Sequence, residues 1–203
     1  MEEKDTYKTI ASPSREVLFK DRKSKFYGYA FPISSKAEVK SLVETLRKQH
    51  HTANHVCYAW QLGAINPVYR ANDDGEPNNS AGMPIYGQIQ SFGVTNVLVA
   101  VVRFFGGTKL GVGGLIQAYK ATAQMALEQS RIVEKVLQTK LQLDFGYPQM
   151  DKVMRGIKQR GLSIISQNME LNCSMVIAVR QSEEDNTVAF FNEMLDVNVK
   201  RLD

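Results

Sequence analysis

The 203-residue sequence predicts an α+β protein of two domains. Three observations carry that expectation. The apolar run Val97-Leu98-Val99-Ala100-Val101-Val102 reads as a strand buried on both faces, and it feeds through Arg103-Phe104-Phe105 and a glycine-rich turn into a helical pattern. From about residue 136 the periodicity follows the order β-α-β-β-α-β, that of a ferredoxin-like module. The charge changes with it: residues 1–139 carry a net +5 and residues 140–203 a net −1. The division therefore falls between 1–136 and 137–203.

The elements follow in order. The first ten residues are polar and expected to be mobile. Arg15 to Phe31 favours strands, with Val17, Phe19, Phe26, Tyr27, Tyr29 and Phe31 as β-formers around the basic turn Lys20-Asp21-Arg22-Lys23-Ser24-Lys25. Ser35 starts a helix, with Glu38 placed as its capping-box partner and Val39, Leu42, Val43 and Leu46 as its apolar stripe. Val56 to Leu62 reads as a strand. Residues 63–82, rich in Gly, Asn, Asp and Pro, read as one long irregular segment of the kind that carries function. A helix is expected over Met83 to Phe92, then the buried strand, then a helix to about Ser130 on Leu115, Ile116, Tyr119, Ala123 and Ala126.

In the second domain Leu141, Leu143 and Phe145 alternate as in a strand. Met150, Val153, Met154 and Ile157 make a helical stripe ended by Gly161. Ile164 to Met169 and the alternation Leu171, Cys173, Met175, Ile177, Val179 give two more strands. Val188, Phe191 and Leu195 mark a helix, and Val197 to Leu202 a last strand.

The bulk numbers narrow the function classes. A hydrophobic fraction of 43% excludes wholesale disorder. No apolar stretch reaches the roughly 18–20 residues of a membrane span. Met1-Glu2-Glu3-Lys4-Asp5 lacks the apolar core of a secretory signal. The two cysteines, Cys57 and Cys173, fit a reducing cytoplasm better than a disulfide scaffold.

Four motifs bear on chemistry. In Gly106-Gly107-Thr108-Lys109-Leu110-Gly111-Val112-Gly113-Gly114, five glycines in nine residues allow close backbone approach, and the helix that follows offers free N–H groups to an anion between Arg103 and Lys109. The segment is neither a Walker A loop, lacking Gly-Lys-Ser/Thr, nor a dinucleotide fingerprint, since Ile116 stands at the third glycine position. A tight strand-to-helix connection explains the same glycines. The acidic loop Asn72-Asp73-Asp74-Gly75-Glu76 puts three carboxylates in four residues, suited to a divalent metal or to turn and helix capping. His55 can act with Asp73, Asp74 or Glu76 if the fold joins them, or serve packing; Cys57, two residues on, shares its strand face and reads as a buried thiol. Lys20, Arg22, Lys23 and Lys25, interleaved with Phe19, Phe26, Tyr27 and Tyr29, suit single-stranded nucleic acid or a solvated hairpin.

The segments Lys20–Phe26, Asn54-His55-Val56-Cys57-Tyr58-Ala59-Trp60, Asp73-Asp74-Gly75-Glu76-Pro77 with Ser80-Ala81-Gly82 and Pro84, and Val101–Gly107 with Lys109-Leu110-Gly111, Gly113-Gly114-Leu115 and Ala118-Tyr119 together resemble the YigZ/IMPACT family over essentially the whole chain. The resemblance implies a first domain like domain IV of elongation factor G and a domain of a small-subunit ribosomal protein, and a ferredoxin-like second domain like domain V of elongation factor G. It implies a cytoplasmic protein linked to translation and its regulation, with RNA, the ribosome or a protein of the translation machinery as partner and no membrane. Met83 and Gln117 stand where family members often carry a basic residue.

Two readings result. In the first, a nucleic-acid or anion-binding surface is formed by Lys20, Arg22, Lys23, Lys25, Arg103, Gly106, Gly107, Lys109, Gly113 and Gly114, with neither cofactor nor metal. The alternative is a metal-dependent hydrolase built on His55, Asp73, Asp74 and Glu76. A third, an interaction module, would use the exposed sheet of the second domain.

Overall fold

The computed structural model describes residues 5–170 and 172–202. They divide into two compact units, one of Tyr7–Lys135 and one of the residues from Val136 onward joined by Asp5 and Thr6.

The strands and helices in chain order are β1 (Thr6–Ile10), β2 (Val17–Asp21), β3 (Ser24–Pro32), α1 (Lys36–Gln49), β4 (His55–Leu62), β5 (Val68–Asn72), α2 (Gly82–Ser91), β6 (Val97–Phe104), α3 (Gly111–Glu128), β7 (Ile132–Val136), β8 (Gln138–Gly146), α4 (Met150–Gln159), β9 (Ser163–Met169), β10 (Asn172–Arg180), α5 (Glu184–Asn192) and β11 (Val197–Leu202).

The first unit is built on a five-stranded antiparallel sheet in the order β2-β3-β6-β4-β5. Its central strand is β6, whose Val97–Val102 are fully buried. The run is continuously apolar because both of its faces are covered. Val97, Val99 and Val101 point into a core with Phe26, Cys57, Ile85, Ile89, Tyr119 and Leu127, under α2 and α3. Leu98, Ala100 and Val102 point into a second core with Val39, Val43, Leu46 and Trp60, under α1. Alternate side chains go to opposite faces, so one strand fills two cores.

The β2–β3 hairpin turns through Arg22 and Lys23, both at positive φ (43° and 68°), as a two-residue primed turn requires. Lys20 and Lys25 stand directly opposite each other on its last rungs. At the start of α1, Ser35 holds the N-cap position without a side-chain bond to a backbone N–H of the helix. Glu38 instead gathers the Ser34 N–H and the Ser34 and Ser35 hydroxyls, which hold its carboxyl below the usual range.

The second unit is a four-stranded antiparallel sheet in the order β11-β8-β10-β9, with α4 and α5 packed on one face. Its core holds Leu141, Leu143, Phe145, Val153, Ile157, Met175, Ile177 and Phe191, and the expected β-α-β-β-α-β order is present. Leu171, expected in the β10 alternation, lies outside the described residues.

Three expectations need correction. Residues 1–4 lie outside the described residues, but Thr6–Ile10 form β1, which pairs with β7 as a two-stranded ribbon. The partner is some 120 residues away, so no local pattern announces it. Residues 63–82 are not wholly irregular: β5 pairs with β4, Trp60 facing Arg70. It is an exposed edge strand with no buried residue, so it lacks the alternation that marks a half-buried one. Leu195 lies beyond α5 and is 77% exposed; Thr187 and Phe191 are the fully buried side chains of that helix.

Candidate functional site

The glycine segment, the basic hairpin, His55 and the acidic loop converge on one end of the five-stranded sheet. Register explains why. His55 pairs with Arg103 on one side, and Phe26 pairs with Arg103 on the other, so the three form a row across the face covered by α3. Gly106 then packs directly on the hairpin. A Cβ on it would stand 2.1 Å from the Lys23 carbonyl carbon and 2.3 Å from the Ser24 nitrogen, so no other residue fits. The Gly106 N–H donates to Ser24 Oγ at 3.1 Å, and the Phe105 N–H donates to Asn54 Oδ1 at 2.7 Å.

The acidic loop does meet His55, but each carboxylate has its own partners. Asp73 caps α2, accepting the N–H groups of Ala81 (3.0 Å) and Gly82 (2.8 Å) through Oδ1 and that of Asn79 (2.9 Å) through Oδ2. Asp74 accepts the Val56 N–H at 2.6 Å and pairs with Arg47. Glu76 turns inward, where Oε1 accepts Arg103 Nη1 at 2.6 Å and the Tyr119 hydroxyl at 2.7 Å. Neither Arg47 nor Tyr119 is marked in the sequence as part of this cluster. Tyr119 stands in the sequence as one position of an apolar helical stripe and in a family-like segment, and Arg47 is not singled out there.

His55 is not paired with a carboxylate. Its Nδ1–H donates to the backbone oxygen of Asp74 at 2.7 Å, since a carbonyl oxygen can only accept, which places a proton on Nδ1. Among the described residues no group of three or more His, Cys, Asp and Glu side chains stands close enough to hold a metal ion. Cys57 is fully buried, 3.0 Å from the Asp73 carbonyl oxygen and 3.3 Å from Tyr119 Oη. Burial pushes its thiol pKa far up, as it does that of the Tyr119 hydroxyl.

Arg103 differs most from its sequence reading. It is 6% exposed and its charge is balanced by Glu76, in an ion pair whose side chains are 7% and 4% exposed. The guanidinium also lies 5.5 Å from the Phe26 ring and 5.6 Å from the Phe105 ring, and its Nε is buried without a partner among the described residues. It is not a free surface cation. The apolar neighbours of β6 that bury the strand also bury this side chain.

The remaining cations are open. Lys20, Arg22, Lys23, Lys25 and Lys109 are exposed, as are Gly107, Gly111 and Gly113, with Gly106 and Gly114 half-buried. The N-cap residue of α3, Leu110, makes no side-chain capping bond to the helix. Beside it lies a cleft of about 470 Å³ lined by His55, Glu76, Arg103, Lys109, Gly111 and Leu115 among others. A larger groove of about 750 Å³ between α2 and α3 has Lys120 as its one charged side chain.

Comparison with known proteins follows the same segments. The Impact N-terminal domain matches residues 22–127, more than half of the chain. The IMPACT family member YvyE of Bacillus subtilis is 29% identical over 179 residues, which cover 86% of this chain and 79% of that protein. An IMPACT family member of Haemophilus influenzae is 28% identical over 194 residues, covering 94% of this chain and 93% of that one. The crystal structure of a hypothetical protein superposes with a TM-score of 0.71 at 25% identity and covers 98% of both chains. No helix among the described residues is long and apolar enough to cross a membrane.

Proposed function

The chain belongs to the IMPACT family through its Impact N-terminal domain, and we propose that it is a cytoplasmic, translation-regulating protein that binds RNA, free or in the ribosome, at the hairpin end of its five-stranded sheet. The translation link is what the family resemblance implies. The observation that carries the RNA reading is the contact of Gly106 with Lys23-Ser24, which brings the exposed cations of the hairpin beside Lys109 and the uncapped start of α3. Uncapped N–H groups and the positive end of the helix dipole favour phosphate, and exposed lysines add attraction without a rigid geometry.

The buried ion pair serves this surface as scaffold. Arg103 reaches Glu76, Glu76 reaches Tyr119 in the third turn of α3, and the three link the acidic loop, the central strand and the helix whose N-terminus faces the ligand. Phosphate binds to Lys109 and the backbone of residues 111–113, not to Arg103.

The test is binding of a single-stranded RNA and cosedimentation with ribosomes across a salt series. Phosphate contacts release counterions, so affinity falls as salt rises, and each contact removed lowers the slope on single strands by about 0.7. A Lys23→Ala/Lys109→Ala chain is expected to lose about 1.4 from that slope and to bind more weakly at every salt. Wild-type binding independent of salt, or a double variant indistinguishable from wild type, would refute the assignment.

A further inference from the structure

A second basic cleft lies on the opposite face of the same sheet, sharing no residue with the RNA surface proposed above. Helix α1 packs chiefly on β4 and β6, and an opening lies between it and the edge strand β5. The opening is a cleft of about 400 Å³, within the roughly 300–1,000 Å³ of small-ligand sites. Lys36, Lys40 and Arg47 line it from α1 together with the single carboxylate of Glu44, and Arg70 lines it from β5, while Tyr58 and Trp60 supply its aromatic floor.

The charges are unevenly satisfied. Arg47 is held by Asp74, and Lys40 stands 4.0 Å from Glu44 on a highly exposed turn. Such an exposed pair is worth little. Lys36 and Arg70 have no acidic partner within 4 Å among the described residues; Lys36 Nζ instead sits 5.8 Å from the centre of the Trp60 ring. Trp60 and Arg70 are directly opposite in the β4–β5 register, so the arginine stands beside the ring.

We propose that this α1–β5 cleft is a second site for single-stranded RNA. The phosphates of one or two nucleotides lie between Lys36 and Lys40 on one wall and Arg70 on the other, with a base against Tyr58 at the edge of Trp60. Cations on both walls above aromatic rings are the arrangement that holds a single strand by its backbone and tolerates any base. An acidic helix would need a pocket for apolar side chains, and the floor provides none: Val39 and Val43 are buried and Trp60 is 6% exposed. This inference shares with the proposed function only the class of ligand.

Trp60 is the one tryptophan in the chain, so its fluorescence reports this cleft directly. The experiment titrates the full-length Lys23→Ala/Lys109→Ala chain, with the hairpin end disabled, with an oligouridylate, and follows tryptophan emission and the anisotropy of a labelled oligonucleotide together. The expected result is saturable quenching of Trp60 that further Lys36→Ala/Arg70→Ala substitution, at exposed positions, weakens at least fivefold, with a further loss of about 1.4 from the salt slope. Anisotropy binding without a Trp60 response would overturn the cleft while leaving RNA binding intact. Quenching unchanged by Lys36→Ala/Arg70→Ala would overturn it as well. A Trp60 response to oligoglutamate but not to oligouridylate would overturn it in favour of an acidic protein partner. Loss of binding on Lys23→Ala/Lys109→Ala alone, with no quenching left, would keep the hairpin site and remove this one.

Discussion

Replacing Glu76 by Gln isolates the charge of the buried ion pair from its hydrogen bonds. The glutamine carbonyl can still accept Arg103 Nη1 and the Tyr119 hydroxyl, now at 2.6 and 2.7 Å, but it carries no negative charge. The guanidinium cannot give up its proton, so it stays charged between the Phe26 and Phe105 rings, with a side chain 7% exposed. Breaking a buried pair from one side costs about 3–5 kcal/mol. The retained hydrogen bonds place Glu76→Gln near the lower end, at about 3 kcal/mol. Urea unfolding followed by Trp60, which lies in the same unit, gives the readout. With a urea slope of about 1–3 kcal/mol per molar, the midpoint falls by about 1–3 M. Adding Arg103→Met removes the stranded charge, so the double variant regains much of the loss, since an apolar replacement of a buried pair is often neutral. A Glu76→Gln cost below about 1 kcal/mol, or a double variant whose cost is the sum of the two single ones, would refute the reasoning.

Two further outcomes follow from the same geometry. Gly106→Ala drives a Cβ into the Lys23 and Ser24 backbone and is expected to cost at least about 2 kcal/mol and to weaken RNA binding, whereas Gly107→Ala, whose Cβ meets nothing within 4 Å, costs about 1 kcal/mol from its φ of 88° alone; equal urea midpoints for the two would count against the close contact. Cys57 and Cys173 are both buried, and desolvation raises the Cys57 pKa, so the native chain resists a thiol-specific reagent from pH 7 to pH 9 and reacts only as fast as it unfolds; a fast-labelling thiol in the folded state, rising with pH, would show that the site opens.

Much of the fold is written in local patterns. The Val97–Val102 run is apolar at every position because two cores need it, and the alternation of Leu141, Leu143 and Phe145 reflects a sheet with one packed face. Helix α3 shows its stripe plainly. What is hidden depends on distant partners. Thr6–Ile10 is polar and becomes a strand only because β7 lies alongside it. Arg103 reads as a surface cation because nothing near it in sequence offers Glu76, 27 residues away, as its counter-ion. The same holds for Asp73 and Asp74: three carboxylates in four residues suggest one metal site, yet turn geometry, with Asp74 at a φ of 45°, sends them to three different partners. The basic hairpin and the glycine segment are each legible alone. Their contact is not, because it follows from strand order, which places β3 next to β6.

Lys20 and Lys25 face each other across the hairpin, and like charges so placed repel. With no ligand present the folded chain keeps that repulsion as an internal tension near its tip. A polyanion seated there, as proposed, would relieve it, so the energy that weakens the empty hairpin would return as affinity for the filled one. By reciprocity, anions that occupy this end raise the melting temperature, and salt that screens the two ammonium groups stabilises the free protein while loosening its complex. On the proposed reading, the tip answers to local negative charge and is most stable when least alone.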